Sequence, residues 1–284
     1  PRAPYRRVPS EQLRQDACLW VLVIFHECSY GGLYGLGILQ VRPVCRSNMY
    51  FEQLNKTGWA QTYLLVDSTS KSAAIIDPVY DFMDEYLSVI ESKGVVLMYA
   101  IATHTHADHI TACYSLREST GCEYAMWKDT PCLGVSHYLN EEDVLMVGSL
   151  PLKVHHVPGH TNDHVLIESP THLLTGHFLF TGAGGAGRDD LPSGRVHAHW
   201  LSLKRLDSLD GNLLVCTGHE PPGTEMKSLD WNREHNPVLN MNSIEEYSAW
   251  QEKVTAGLGS VSKIKTALPA NLFAEIPEEI PWMN

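Results

Sequence analysis

The amino-acid sequence predicts an α/β fold on two observations. Short apolar segments of strand length alternate with longer segments of amphipathic, helical period. Several apolar segments also run into a loop carrying a histidine, at His104, His160, His177 and His219, which is how a rigid sheet presents side chains from its edge. Composition agrees: of 284 residues, 44% are hydrophobic and 19% charged, proportions of a globular chain of one large domain or two small ones.

Taken in order, residues 62–66 and 73–76 read as strands around a polar turn. Asp81 is a candidate cap for a helix to Lys93, with Phe82, Tyr86, Leu87 and Ile90 on one face and Gly94 as its stop. Residues 95–102 form an apolar strand, followed by a helix over 107–120 that Gly121 ends and whose first turn would carry Asp108 and His109. Residues 144–147, 152–157, 165–168, 172–174 and 178–181 continue the strand pattern. Residues 197–209 then read as a helix, 213–217 as a strand and 244–256 as the final helix.

The chain carries 21 Lys plus Arg and 33 Asp plus Glu, a formal charge of -12. An acidic surface repels phosphate backbones, so no nucleic-acid partner is expected. The charge is uneven: residues 1–48 hold six Arg, no Lys and three acids, leaving 15 bases and 30 acids for residues 49–284. This marks a basic N-terminal extension over 1–48 and a catalytic domain over 49–284. The apolar run at 17–25 is too short to span a bilayer, which takes about 20 residues. The extension reads as a secretory signal without a clear cleavage site, as an Arg-rich mitochondrial transit segment, or as sequence upstream of a natural start at Met49. The expected location is cytoplasmic, or mitochondrial if it is a transit segment. Seven Cys, at 18, 28, 45, 113, 122, 132 and 216, show no paired C-x-x-C spacing, which fits reduced thiols better than a disulfide framework or a structural zinc site.

Fifteen residues are His. Residues 104–109 read His-x-His-x-Asp-His, four candidate ligands within one short loop, and His160 in Pro-Gly-His-Thr and His219 in Thr-Gly-His-Glu add two more. Imidazole and carboxylate are suitable donors for zinc or iron.

On these residues the chain from 49 to 284 resembles the metallo-β-lactamase superfamily, which implies a four-layer αββα sandwich with metal held at the sheet edge. Further segments narrow the resemblance: Tyr50-Phe51-Glu52-Gln53-Leu54, Ile76-Asp77-Pro78-Val79, Gly187-Arg188-Asp189-Asp190 and Leu268-Pro269-Ala270-Asn271. With them the chain looks like the persulfide dioxygenases, relatives of glyoxalase II. The resemblance implies one Fe(II) per chain and O2, oxidising glutathione persulfide to sulfite and glutathione. It places iron ligands at His104 and His160 and at an Asp in a Thr-Gly-Asp motif. Here that motif reads Thr175-Gly176-His177. A neutral imidazole has one free lone pair and cannot bridge two metals, so His177 favours a mononuclear site with three neutral His ligands. Otherwise it leaves a degenerate, weakly active site, unless Asp163, Asp189 or Asp190 supplies the carboxylate.

His106 and His219 are expected as further ligands or as groups around the first ones. Asp108 and His109 are the expected catalytic pair beside the metal, and Arg188 is expected to grip a substrate carboxylate or to pair with Asp189 or Asp190. The alternative activity is a zinc-dependent thioester or lactone hydrolase, with Asp108 as proton acceptor. A homodimer is expected of such enzymes. His155 and His156 should point to opposite strand faces; His164, His172, His197 and His199 read as surface or supporting residues.

Overall fold

A computed structural model describes residues 48–55 and 57–283. The extension read over 1–48, with Cys18, Cys28 and Cys45, lies outside the described residues but for Asn48.

Two six-stranded sheets form the centre. The first runs β1 (Met49–Gln53), β2 (Tyr63–Asp67), β3 (Ser72–Ile76), β4 (Val96–Ile101), β5 (Glu123–Trp127), β6 (His137–Leu139) in that spatial order. Its first three strands are antiparallel and the rest parallel. The second holds β7 (Val144–Val147), β8 (Leu150–His156), β9 (Val165–Glu168), β10 (His172–Gly176), β11 (Leu214–Thr217) and β12 (Lys227–Ser228), also in spatial sequence. Only its β10–β11 pair is parallel.

Burial follows the two-residue strand period. Tyr63 and Leu65 join Ala74, Ile76, Val154 and Val165 in a core that draws on both sheets. Leu64, Val66, Ala73 and Ile75 face the other way, packing with Tyr86 of α1 (Met83–Lys93) and Leu116 of α2 (Cys113–Thr120). Leu166, Leu173 and Val215 of the second sheet pack with Leu203 of α3 (Val196–Leu203), Leu229 of α4 (Leu229–His235) and Tyr247 of α5 (Ile244–Leu258). The result is the αββα sandwich. Strands β2, β3, β9, β10 and β11 are buried on both faces over most of their length, which explains their nearly continuous apolar sequence.

Four expectations need correcting. The helix read over 107–120 begins only at Cys113, because the preceding backbone is committed elsewhere: Ile110 accepts from the Tyr80 amide, and the Ala112 amide donates to Pro78. Asp81 is not a helix cap. Helix α1 starts at Met83 after a 3-10 turn and has no side-chain cap, while the Asp81 carboxylate accepts from the Trp282 indole at 3.1 Å. Residues 178–181 are not a strand, since the Phe178 amide turns back to Thr175. Helix α5 is not the last, because α6 (Ile264–Phe273), with Pro269 inside it, follows. Its Ala267 and Ala270 pack on Ile110, under the histidine loop.

Cys113, Cys122, Cys132 and Cys216 are free and buried, and burial pushes the Cys113 and Cys216 thiols up, away from reactive thiolate. Among the described residues no helix is long and apolar enough to cross a membrane.

The two sheets are tied at one rim by Asp67. Its buried carboxylate accepts from the Ser149 amide at 2.7 Å, the Ser149 hydroxyl at 2.9 Å and the Thr69 amide at 2.9 Å. The Ser149 amide, acting against burial, leads the groups that lower its pKa to about 2. A carboxyl depressed on folding stabilises above its unfolded pKa and loses that contribution as pH falls through the folded value. Asp67→Asn is therefore expected to cost about 2 kcal/mol at pH 7, with the gap to the parent narrowing below pH 4. Urea unfolding across that range measures it, and a gap independent of pH would refute it.

Candidate metal centre

The histidine loops leave the ends of β4, β8, β10 and β11 on one edge of the sandwich. The backbone places them. Gly176 has a φ of 51°, and a Cβ there would run into the Thr103 hydroxyl, so only glycine lets β10 deliver His177 beside His104. The segment at Trp59 to Gln61 bonds to Gly218 and Glu220 and sets His219 at the rim.

His104, His160 and His177 come together, with one ring nitrogen of each within 4.8 Å of the others. The rings of His104 and His160 are 4.9 Å apart, His104 and His177 4.9 Å, and His160 and His177 5.1 Å. All three are buried. Beside them His106, Asp108 and His109 form a second group, and Asp108, His177 and His219 a third. His177 therefore stands between two constellations, although its one lone pair can serve only one cation.

Hydrogen bonds assign the tautomers. The Thr103 hydroxyl donates to Asp77 Oδ2 at 2.8 Å and so accepts from His104 Nδ1 at 2.9 Å, which leaves the His104 Nε2 lone pair free. His106 Nε2 donates to Asp77 Oδ1 at 3.1 Å, leaving Nδ1 free. His109 Nδ1 donates to Asp108 Oδ2 at 3.1 Å, leaving Nε2, and His160 Nδ1 donates to the Arg188 carbonyl at 2.5 Å.

The nitrogens left over are unpaired. His104 Nε2, His106 Nδ1, His109 Nε2, His177 Nε2 and Asp108 Oδ1 are buried without a hydrogen-bond partner. An orphaned buried polar atom costs about 1–3 kcal/mol. These atoms fall in the adjoining donor groups, and clustered buried lone pairs are what a cation site requires, so the donor set fits a metal ion.

Electrostatics point the same way. Burial, reinforced by His106, drives the His104 pKa well down. Burial also lowers His177, against the pull of Asp108, and brings His160 to about 4. All three imidazoles are then neutral, as ligands must be. In His106 burial opposes the charge but Asp77 outweighs it, and the pKa rises. Burial opposes the charge on Asp108, but His109, which donates to it, outweighs burial and the pKa is lowered.

The other expected residues divide. Arg188 lines the cavity above the cluster, but its guanidinium forks onto Asp190 at 2.6 Å through both Nε and Nη2. Asp163 is taken up by Thr105 and Thr130. Among the described residues neither Asp163, Asp189 nor Asp190 joins His104, His160 and His177 in a donor group. His164 and His199, read as surface or supporting, are fully buried, and His164 lies face to face with His104 at 4.6 Å. His155 and His156 do split, onto Glu168 and Trp127.

Sequence reasoning gave no role to the residues that hold the candidate ligands. Asp77 and Asn271 were visible only as members of motifs. Asn271, from α6, donates to the His106 and His109 carbonyls and accepts from the Thr111 amide, each at 2.9 Å. These ties span 160 residues or more, and no local pattern announces them.

Comparison with known proteins follows this geometry. Residues 57–219 match the family model described as the metallo-beta-lactamase superfamily. The chain is 31% identical over 218 residues to the mitochondrial persulfide dioxygenase ETHE1 of Bos taurus, covering 74% of this chain and 82% of that one. It is 36% identical over 140 residues to a hydroxyacylglutathione hydrolase of Cereibacter sphaeroides, covering 47% and 52%. The crystal structure of ETHE1 from Myxococcus xanthus superposes with a TM-score of 0.74 at 31% identity, over 80% of this chain and all of that one.

Gly187 gives a direct test of the site's close packing. A Cβ there would press into the His177 carbonyl and come within 3.0 Å of His160 Nδ1. Gly187→Ala is expected to weaken metal affinity at least tenfold, with about 1–3 kcal/mol of lost stability from overpacking. Metal titration with thermal unfolding measures both, and parental affinity in this variant would refute it.

Proposed function

The chain belongs to the metallo-β-lactamase superfamily, and from that premise we propose that it is a persulfide dioxygenase. It would hold one Fe(II) through His104, His160 and His177 and convert a small-molecule persulfide, dioxygen and water to a thiol and sulfite. The observation that carries this reading is the convergence of three neutral imidazoles with no carboxylate in their group, which disfavours a bridged two-metal centre. The ETHE1 likeness supports the reaction class.

Bound iron would supply the redox chemistry that activates O2 toward the persulfide sulfur. The chain's own residues do the rest. Asp77, through Thr103, fixes His104 in the tautomer that offers Nε2. The Arg188 carbonyl does the same for His160. Asp108 lies beside the cluster, its Oδ2 3.9 Å from His177 Nε2 and 3.5 Å from His219 Nδ1. As a carboxylate it would accept a hydrogen bond from the persulfide S–H or from water and orient it, while His109 holds it in place. Trp59, Phe180 and Leu191 give the space above the cluster apolar walls.

One observation favours a second reading. The unpaired His106 Nδ1, Asp108 Oδ1 and His109 Nε2 could hold another ion, as a zinc-dependent thioester hydrolase would need, and the hydrolase likeness accords with this.

Metal analysis after anaerobic loading separates the two. The dioxygenase predicts one iron per chain, O2 uptake with persulfide and sulfite release; zinc with thioester turnover and no O2 uptake would overturn it. His177→Asp is expected to lower dioxygenase kcat/KM at least tenfold. A gain in that variant would mark His177 as a defect rather than a working ligand.

A further inference from the structure

The cavity above the cluster encloses about 810 Å³, the size that a drug-sized ligand fills. Asp108, His109, His160, His177 and His219 line it where the donor groups converge. Its walls are mainly apolar: Trp59, Phe82, Phe180, Leu191, Val254 and Val261. From this we infer that the pocket takes a thiol or persulfide with an apolar body, an alkyl or aryl group, in preference to a peptide carrier with free carboxylates. The inference rests on the dioxygenase reading for the reacting sulfur, and departs from the glutathione carrier that the resemblance implies.

Charge carries it. Among the described residues only two lysine or arginine side chains line the cavity, Arg188 and Lys263, and both are engaged. Arg188 holds Asp190 through two bonds of 2.6 Å and gives Nη1 to the Gly259 carbonyl at 2.8 Å. Its planar fork is spent on an internal carboxylate. The Lys263 ammonium lies 4.5 Å over the Trp282 ring and 4.0 Å from Asp81. Asp81, Asp108 and Glu220 line the same space. A carrier with two carboxylates would meet three acidic residues and two occupied cations, whereas an alkyl or aryl body meets none of that repulsion.

Trp59 is an accessible part of the wall. It is 54% exposed and its ring stands 5.6 Å from that of His219, so an aryl group reaching the imidazoles would pass along it. Half-exposed, it can be shortened without opening the core.

The test is equilibrium binding to the anaerobic iron-loaded full chain, by calorimetry, with benzyl mercaptan and glutathione as probes. The expected result is benzyl mercaptan binding at least tenfold more tightly. Trp59→Ala should weaken benzyl mercaptan at least fivefold and change glutathione less than twofold. Glutathione binding as tightly as benzyl mercaptan, or a Trp59→Ala variant that binds benzyl mercaptan like the parent, would overturn the inference. Oxygen is withheld, so the measurement is independent of turnover. If no persulfide supports O2 uptake, the reaction assigned above fails, while the binding ratio still decides the character of the pocket.

Discussion

The Asp77 carboxylate is the contact on which the site depends. It sits at the end of β3, buried, with a backbone φ of 50°, a conformation uncommon for any residue but glycine and least so for Asn and Asp. That backbone turn brings the carboxylate under the next strand's loop, where it accepts from the Thr103 amide at 2.7 Å, the Thr103 hydroxyl at 2.8 Å and His106 Nε2 at 3.1 Å. A buried carboxylate is expensive unless its oxygens are satisfied, and here satisfying them is the same act as orienting two candidate ligands. Remove the carboxylate and Thr103 loses the partner that makes it an acceptor, so His104 has no reason to keep its proton on Nδ1.

Other ligands are held by backbone or by distant side chains in the same manner. Asn271 clamps the loop carbonyls from α6, Asp163 ties down Thr105, and the Arg188 carbonyl fixes His160. The unpaired nitrogens thus do not come from loose packing: each imidazole's other side is hydrogen-bonded or wedged among aromatic rings. His104 is wedged by His164, stacked on it with planes 11° apart. Rigid support on one side and unsatisfied lone pairs on the other is the arrangement of a preorganised cation site.

What the sequence made legible follows physical range. Strands β2, β3, β9 and β11 lay close to their expected bounds, since double-sided burial writes an apolar run that turns bracket. The His-x-His-x-Asp-His loop was legible because its donors are neighbours in sequence, and His160, His177 and His219 because each follows an apolar strand. The helix boundary at Cys113 was not. Helical periodicity continues through 107–112, but the backbone there is bound by Pro78, Tyr80 and Asn271, partners that local pattern does not contain. Asp81 failed as a cap for the same reason, its carboxylate being drawn to Trp282, 201 residues away. In sequence His164 and His199 stand between surface and supporting roles, because nothing in their neighbourhood shows that tertiary packing will bury them; burial and the stacking of His164 on His104 settle it for the supporting role.

Histidine in place of aspartate at 177 changes the electrostatics of the whole cavity. A carboxylate ligand would offset part of a divalent cation's charge; three neutral imidazoles offset none, so the centre would attract a small anion strongly. Around it lie Asp81, Asp108 and Glu220, in a domain whose acids outnumber its bases by 30 to 15 over residues 49–284. Two opposed fields then act within one pocket, an attractive point at its base and a repulsive acidic wall above. Coulomb attraction falls off with distance, so the base wins only for charge placed directly against it. A persulfide sulfur meets that condition; carboxylates several bonds away on the same molecule would sit among the acids. On the proposed reading, histidine at 177 and the pairing of Arg188 with Asp190 would act in the same direction, favouring a substrate with its negative charge concentrated at the reacting atom.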